Sequence, residues 1–116
     1  MTARVLLVDD DPEICEFLVT LLELEGLLTR VAHSGARALA SLAGADAVLL
    51  DLAMPDMDGL ELCRRMRRAG FGGPILVVSA RPGPDLPRQA AEAGANGFVR
   101  KPFDNAELLG RLRALL

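Results

Sequence analysis

A chain of 116 residues, 51% hydrophobic and 25% charged, matches the size of one ordinary domain with a single core. Its net charge of −3 denies it the basic footprint that a domain needs to hold nucleic acid by itself. The apolar run after Met1 to Arg4 is closed at once by Asp9, too short for a secretory core or a membrane span.

With four Phe and neither Trp nor Tyr, the core has to come from Leu, Val, Ile and Ala, which suit a buried parallel sheet. The run Val5 to Val8 reads as a first strand and ends in Asp9-Asp10-Asp11. Asp11 then caps a helix whose first turn tolerates Pro12. Ile14, Phe17, Leu18, Leu21 and Leu22 recur at helical spacing, and Gly26 closes the helix. Leu28 to Ala32 alternates as an edge strand does, and Ser34 caps a short Ala-rich helix carrying Leu39 and Leu42. Ala47 to Leu50 is apolar throughout and ends in Asp51. The loop Ala53 to Gly59 leads to a helix with Leu62, Cys63 and Met66 inward, broken by Gly70 to Pro74.

Ile75 to Val78 is a further buried strand, ending in Ser79. A loop through Pro82, Pro84 and Pro87 precedes a short helix that stops at Gly94, and these prolines should shorten or stiffen its start. Phe98 to Arg100 is the last strand and ends at Lys101-Pro102, where a cis bond would be in keeping with proline. Asp104 and Glu107 form a capping-box pattern for a final helix bearing Leu108, Leu109, Leu112, Leu115 and Leu116. Strict alternation of strand and helix predicts an α/β fold: a parallel sheet with right-handed crossovers and helices on both faces.

Ligands of such sheets bind outside the carboxyl ends of the strands. There the sequence places Asp9 and Asp10, Asp51, Ser79 and Lys101. Clustered carboxylates raise one another's pKa unless a cation sits among them. Magnesium suits the gap, because it takes one or two carboxylates, a phosphate oxygen and several waters. Lys101 is the only lysine, all twelve other basic residues being arginine, which points to a compact point charge at that strand end.

Val8 to Asp11, Leu50 to Gly59, Ser79-Ala80-Arg81 and Lys101-Pro102-Phe103 together resemble the signature segments of response-regulator receiver domains. They stand in the family's order and spacing, and the likeness covers essentially the whole chain. It implies one receiver domain over residues 1–116, with the flavodoxin-like strand order 2-1-3-4-5 and five helices. It implies that Asp51 accepts a phosphoryl group from a sensor histidine kinase, making this a signalling phosphoacceptor rather than an enzyme. Asp9 and Asp10 would hold Mg²⁺ (or Mn²⁺) with Asp51 and the Ala53 backbone carbonyl, Asp10 directly and Asp9 largely through water. Ser79 and Lys101 would each meet a phosphoryl oxygen. Phe98 matches the aromatic switch position, and the face of the fourth helix, last strand and fifth helix would carry the signal. The likeness is greatest to receivers attached to winged-helix DNA-binding domains, which implies transcription regulation from the cytoplasm and a homodimer through that face. Ala95-Asn96-Gly97 departs from the acidic pair that class often uses in dimer contacts. The chain stops where a linker would begin, as an excised domain or a single-domain regulator would.

Plainer readings stand beside these. Acidic residues also favour a helix N-terminus, which accounts for Asp11 but not for two more at a buried strand end. Phe98 is by default a core residue, and His33, the sole histidine, by default a surface one. Cys15 and Cys63 make no metal or redox motif and read as two buried thiols in a reducing cytoplasm. Arg64, Arg65, Arg67 and Arg68 read as a solvated helix face. Three rivals remain: a haloacid-dehalogenase-type phosphotransferase, a receiver that works unphosphorylated, and a nucleotide-binding module. The first fits poorly with Leu52-Ala53 after Asp51, and the third with the absence of a glycine-rich first turn.

Overall fold

The apolar runs of the sequence become the strands of one sheet in the computed structural model, which describes residues 2–116. Strands β1 (Arg4–Val8), β2 (Leu28–Ala32), β3 (Ala47–Leu50), β4 (Ile75–Ser79) and β5 (Gly97–Arg100) alternate with helices. These are α1 (Pro12–Leu24), α2 (Gly35–Ala40), α3 (Gly59–Arg68), α4 (Leu86–Ala93) and α5 (Asn105–Leu115). All strands pair in parallel in the order β2-β1-β3-β4-β5, as expected. Register aligns Val8 with Leu50 and Leu50 with Val77, so the three inner strands finish at one edge.

Successive strand residues point to opposite faces, and each face has its own core. Leu6, Val8, Val48, Leu50, Ile75 and Val77 pack with Ala38 of α2, Leu62, Cys63 and Met66 of α3, and Leu86 and Ala90 of α4. Val5, Leu7, Leu49, Leu76, Val78 and Val99 pack with Leu18 and Leu22 of α1 and with Leu108 and Leu112 of α5. Both faces being covered, β3 and β4 are buried from end to end. This explains why they read as unbroken apolar runs.

Five details depart from the sequence expectation. The buried stripe of α1 is Cys15, Leu18 and Leu22, while Phe17 is 47% exposed. Apolar side chains cover more than half of this helix, so spacing alone does not fix which of them turn inward. Helix α2 ends at Ala40, leaving Leu42 in the following turn, still packed on the core. Pro87 lies inside the first turn of α4, where no N–H is required of it. The capping box does not close: the Asp104 carboxylate accepts from the Ala106 N–H at 2.7 Å. Leu108 and Leu112 of α5 are buried, whereas Leu116 lies just beyond the end of the helix and is exposed.

Two glycines are set by geometry. Gly94 ends α4 at φ +113°, a conformation that side chains disfavour. At Gly59 an added Cβ would lie 2.3 Å from the Leu52 Cα, so only glycine lets the β3–α3 loop fold back on the end of β3. No helix among the described residues is long and apolar enough to cross a membrane.

Candidate functional site

Parallel pairing delivers Asp9 and Asp10 from β1, Asp51 from β3, Ser79 from β4 and Lys101 from β5 to one edge. The Lys101 Nζ lies 2.9 Å from an Asp9 carboxylate oxygen and 3.6 Å from Asp51. Asp9, Asp10 and Asp51 each present an oxygen within 4.8 Å of the other two. Asp9 and Asp51 are buried and Asp10 is exposed.

Backbone donors fix the carboxylates. The Asp11 N–H donates to Asp9 Oδ1 at 3.0 Å, and the Ala53 N–H donates to Asp51 Oδ1 at 3.3 Å. The Asp51 N–H is held by the Val8 carbonyl at 2.9 Å, in the ladder between β1 and β3. Burial pushes the Asp51 carboxyl above its ordinary pKa, Lys101 opposes this, and Asp9 and Asp10 add to it. Burial also works against the Lys101 ammonium, but the Asp9 hydrogen bond and the charges of Asp51 and Asp9 outweigh it and hold that pKa high. One ammonium faces three carboxylates, so the cluster lacks positive charge. Hard oxygen donors around such a deficit are the chemistry of a Mg²⁺ or Mn²⁺ site.

Ser79 closes β4 and is fully buried. Its hydroxyl accepts the Arg81 N–H at 3.0 Å, and its carbonyl accepts the Lys101 N–H at 2.9 Å. The Lys101–Pro102 bond is cis. Phe98 is half-buried against the core of α3 and α4. It lines a cleft of about 630 Å³ with Pro87, Ala91, Arg100, Glu107 and Arg111.

Several contacts of this edge were not legible in the sequence. Arg81 pairs with Asp58 at 2.7 Å, tying the loop after Ser79 to the β3–α3 loop. Arg100 donates to the carbonyls of Arg81 and Gly83, at 3.2 and 2.7 Å, and lies 5.2 Å from the Phe98 ring centre. Asp56 reaches the first turn of α2. His33 is exposed as expected, yet its Nδ1 donates to the Asp9 carbonyl at 3.0 Å. The thiol of Cys15 donates to the same carbonyl at 3.4 Å. Burial and then the nearby Asp9 push that thiol up to about 11, so it stays protonated and structural. Each of these contacts depends on a partner that only the finished topology brings near.

The family model for the response regulator receiver domain matches residues 5–113. Response regulator MprA of Mycobacterium tuberculosis (strain H37Rv) is 43% identical over 118 residues, covering 100% of this chain and 51% of that protein. The chain therefore spans about half the length of the curated relatives it matches. Among solved structures, chemotaxis protein CheY4 of Vibrio cholerae superposes with a TM-score of 0.93 at 31% identity, covering 100% of both chains. The chain also resembles the CheX–CheY–BeF3–Mg complex from Borrelia burgdorferi. There the TM-score is 0.91 at 27% identity, over 97% of this chain and 87% of that one.

Proposed function

The chain belongs to the response regulator receiver domain family, and on that footing we propose that Asp51 is its phosphoryl acceptor in a Mg²⁺-dependent (or Mn²⁺-dependent) switch. The observation that carries this reading is a buried carboxylate facing one ammonium and two further carboxylates within 4.8 Å. Asp9, Asp10 and Asp51 would hold the ion together with the Ala53 carbonyl. The Mg²⁺ in the Borrelia burgdorferi complex supports that assignment. Once bound, the ion neutralises developing charge on the transferred group.

The chain's own residues do the rest. An Asp51 oxygen attacks the phosphorus of a phosphohistidine on a sensor kinase. The new P–O bond forms as the P–N bond breaks, and its electron pair leaves with the imidazole. Lys101, already drawn toward Asp51, pairs with one phosphoryl oxygen, and the Ser79 hydroxyl, whose oxygen accepts the Arg81 N–H, donates its own proton to another. Phosphoryl transfer needs such positioning more than covalent assistance. The acyl phosphate hydrolyses in water, which resets the switch.

Movement of Ser79 opens space beside β4, and Phe98 turns inward to fill it. This is a packing change biased by local electrostatics. The altered face consists of α4, β5 and α5, and through it the cytoplasmic protein controls an output, which the similarity to MprA supports as transcription. That face meets a second copy of the chain or an output partner. Equal masses of the unmodified and phosphorylated protein by light scattering would exclude the second copy.

Intact-mass analysis after incubation with a small acyl phosphate tests the central assignment. One phosphoryl adduct is expected with Mg²⁺ and none after chelation. A folded protein with no adduct under either condition would leave a receiver that works by partner binding alone.

A further inference from the structure

The β3–α3 loop supplies Ala53, and three side chains tether it outward. Asp58 reaches Arg81 in the next loop. Met57 packs against Gly35 so closely that a Cβ there would lie 2.6 Å from its Cγ. Asp56 accepts two backbone donors of α2, Gly35 N–H at 2.8 Å and Ala36 N–H at 3.0 Å, one on each carboxylate oxygen. Helix α2 already has its own cap, because the Ser34 hydroxyl accepts the Arg37 N–H at 3.2 Å. Asp56 is thus a second cap, supplied from another loop 20 residues away.

The two caps satisfy different orphan donors of the same turn, and they differ in what else they hold. Ser34 anchors only α2. Asp56 anchors the loop that runs back through Pro55 and Met54 to Ala53, whose N–H is bonded to Asp51. Fixing this loop at Asp56 limits how far Ala53 can move from the carboxylates. Partners behind a metal's direct ligands commonly set its affinity by orienting those ligands.

We infer that Asp56, clamped across the first two amides of α2, is a positioning residue that holds the Ala53 backbone in place for the divalent ion. This rests on the reading of the carboxylate cluster as the Mg²⁺ site. The effect acts through the loop, so it falls on ion affinity. Asp56→Ala weakens Mg²⁺ binding about tenfold, and Asp56→Asn, which keeps one acceptor oxygen, weakens it less.

The test is Mg²⁺ titration of the full chain followed by amide chemical shifts, with thermal melting of each variant. Ser34→Ala is the control, because it loosens α2 without touching the loop. Both alanine variants should melt lower by roughly 4 °C, but only Asp56→Ala should shift the Mg²⁺ dissociation constant. The Mg²⁺ dependence of phosphoryl uptake should move by the same factor and recover as the ion is raised. Wild-type affinity in Asp56→Ala, or an equal weakening in Ser34→Ala, would overturn the assignment. A wild-type protein that binds no Mg²⁺ would instead remove the reading of the cluster, and this inference with it.

Discussion

Asp51→Asn is expected to take up no phosphoryl group at any Mg²⁺ concentration and yet to be more stable than the wild type in Mg²⁺-free buffer at neutral pH. The first effect follows from chemistry, since a carboxamide at this position offers no anionic oxygen to attack phosphorus. The second follows from burial. Desolvation raises the Asp51 carboxyl above its ordinary pKa, with Lys101 opposing and Asp9 reinforcing the shift. A folded pKa above the unfolded one means that the native state binds more protons between the two values. Stability therefore falls as pH rises through that window and stays lower above it. Asparagine removes the buried charge and recovers the loss, while Lys101 keeps its 2.9 Å bond to Asp9.

The gain should be about 1 kcal/mol, or roughly 4 to 8 °C in melting temperature. It should shrink below the window, where the wild-type carboxyl is already neutral. Mg²⁺ should reverse the ranking, because an ion that binds only the folded state stabilises whichever protein binds it better. Melting curves from pH 4 to 8 with and without Mg²⁺, beside intact-mass analysis, measure both effects. A phosphoryl adduct on Asp51→Asn would move the acceptor elsewhere. A wild type more stable than Asp51→Asn without Mg²⁺ would show that Lys101 fully compensates the buried carboxylate.

The parts of this site that the sequence makes legible share one property: each follows directly from a strand. Asp9, Asp51, Ser79 and Lys101 stand immediately beyond β1, at the end of β4, or after β3 and β5, and strand ends are where parallel sheets collect ligands. The apolar runs announce the strands because both sheet faces are covered. Side chains whose role depends on a partner far along the chain give no such signal. Asp56 is one of two acids in its loop, and only the packing of α2 beside that loop brings Gly35 and Ala36 to it. Arg100 reads as a strand end until the loop after Ser79 folds over it. In α1, Phe17 and Cys15 both satisfy helical spacing, and the choice between them is made by the sheet below.

Arg67 gives the sharpest case, and Arg67→Ala is expected to cost about 3 kcal/mol of folding stability. In sequence it is one of four arginines around Met66, with nothing to separate it from the others. Arg64, Arg65 and Arg68 are exposed and gather on Glu61, at 3.5, 3.2 and 2.9 Å, and such surface pairs contribute little. Arg67 turns the other way. Its guanidinium donates to the carbonyls of Phe71 and Gly73 at 2.8 and 2.7 Å, to the Gly94 carbonyl from two nitrogens at 3.0 and 2.8 Å, and to the Asn96 side chain at 2.8 Å. It thereby joins the crossover into β4 to the end of α4, and the same Asn96 oxygen accepts the Ile75 N–H as β4 begins.

Alanine would leave three carbonyls without this donor. Lysine would recover little, because its three donors on one nitrogen do not span acceptors arranged around a planar fork. These contacts lie at the amino ends of β4 and β5, opposite the carboxylate cluster, so Arg67→Ala should unfold at lower denaturant while binding Mg²⁺ as the wild type does. A loss below about 1 kcal/mol by urea denaturation would mean that water replaces the guanidinium at these carbonyls. Arg67 would then belong with its solvated neighbours after all.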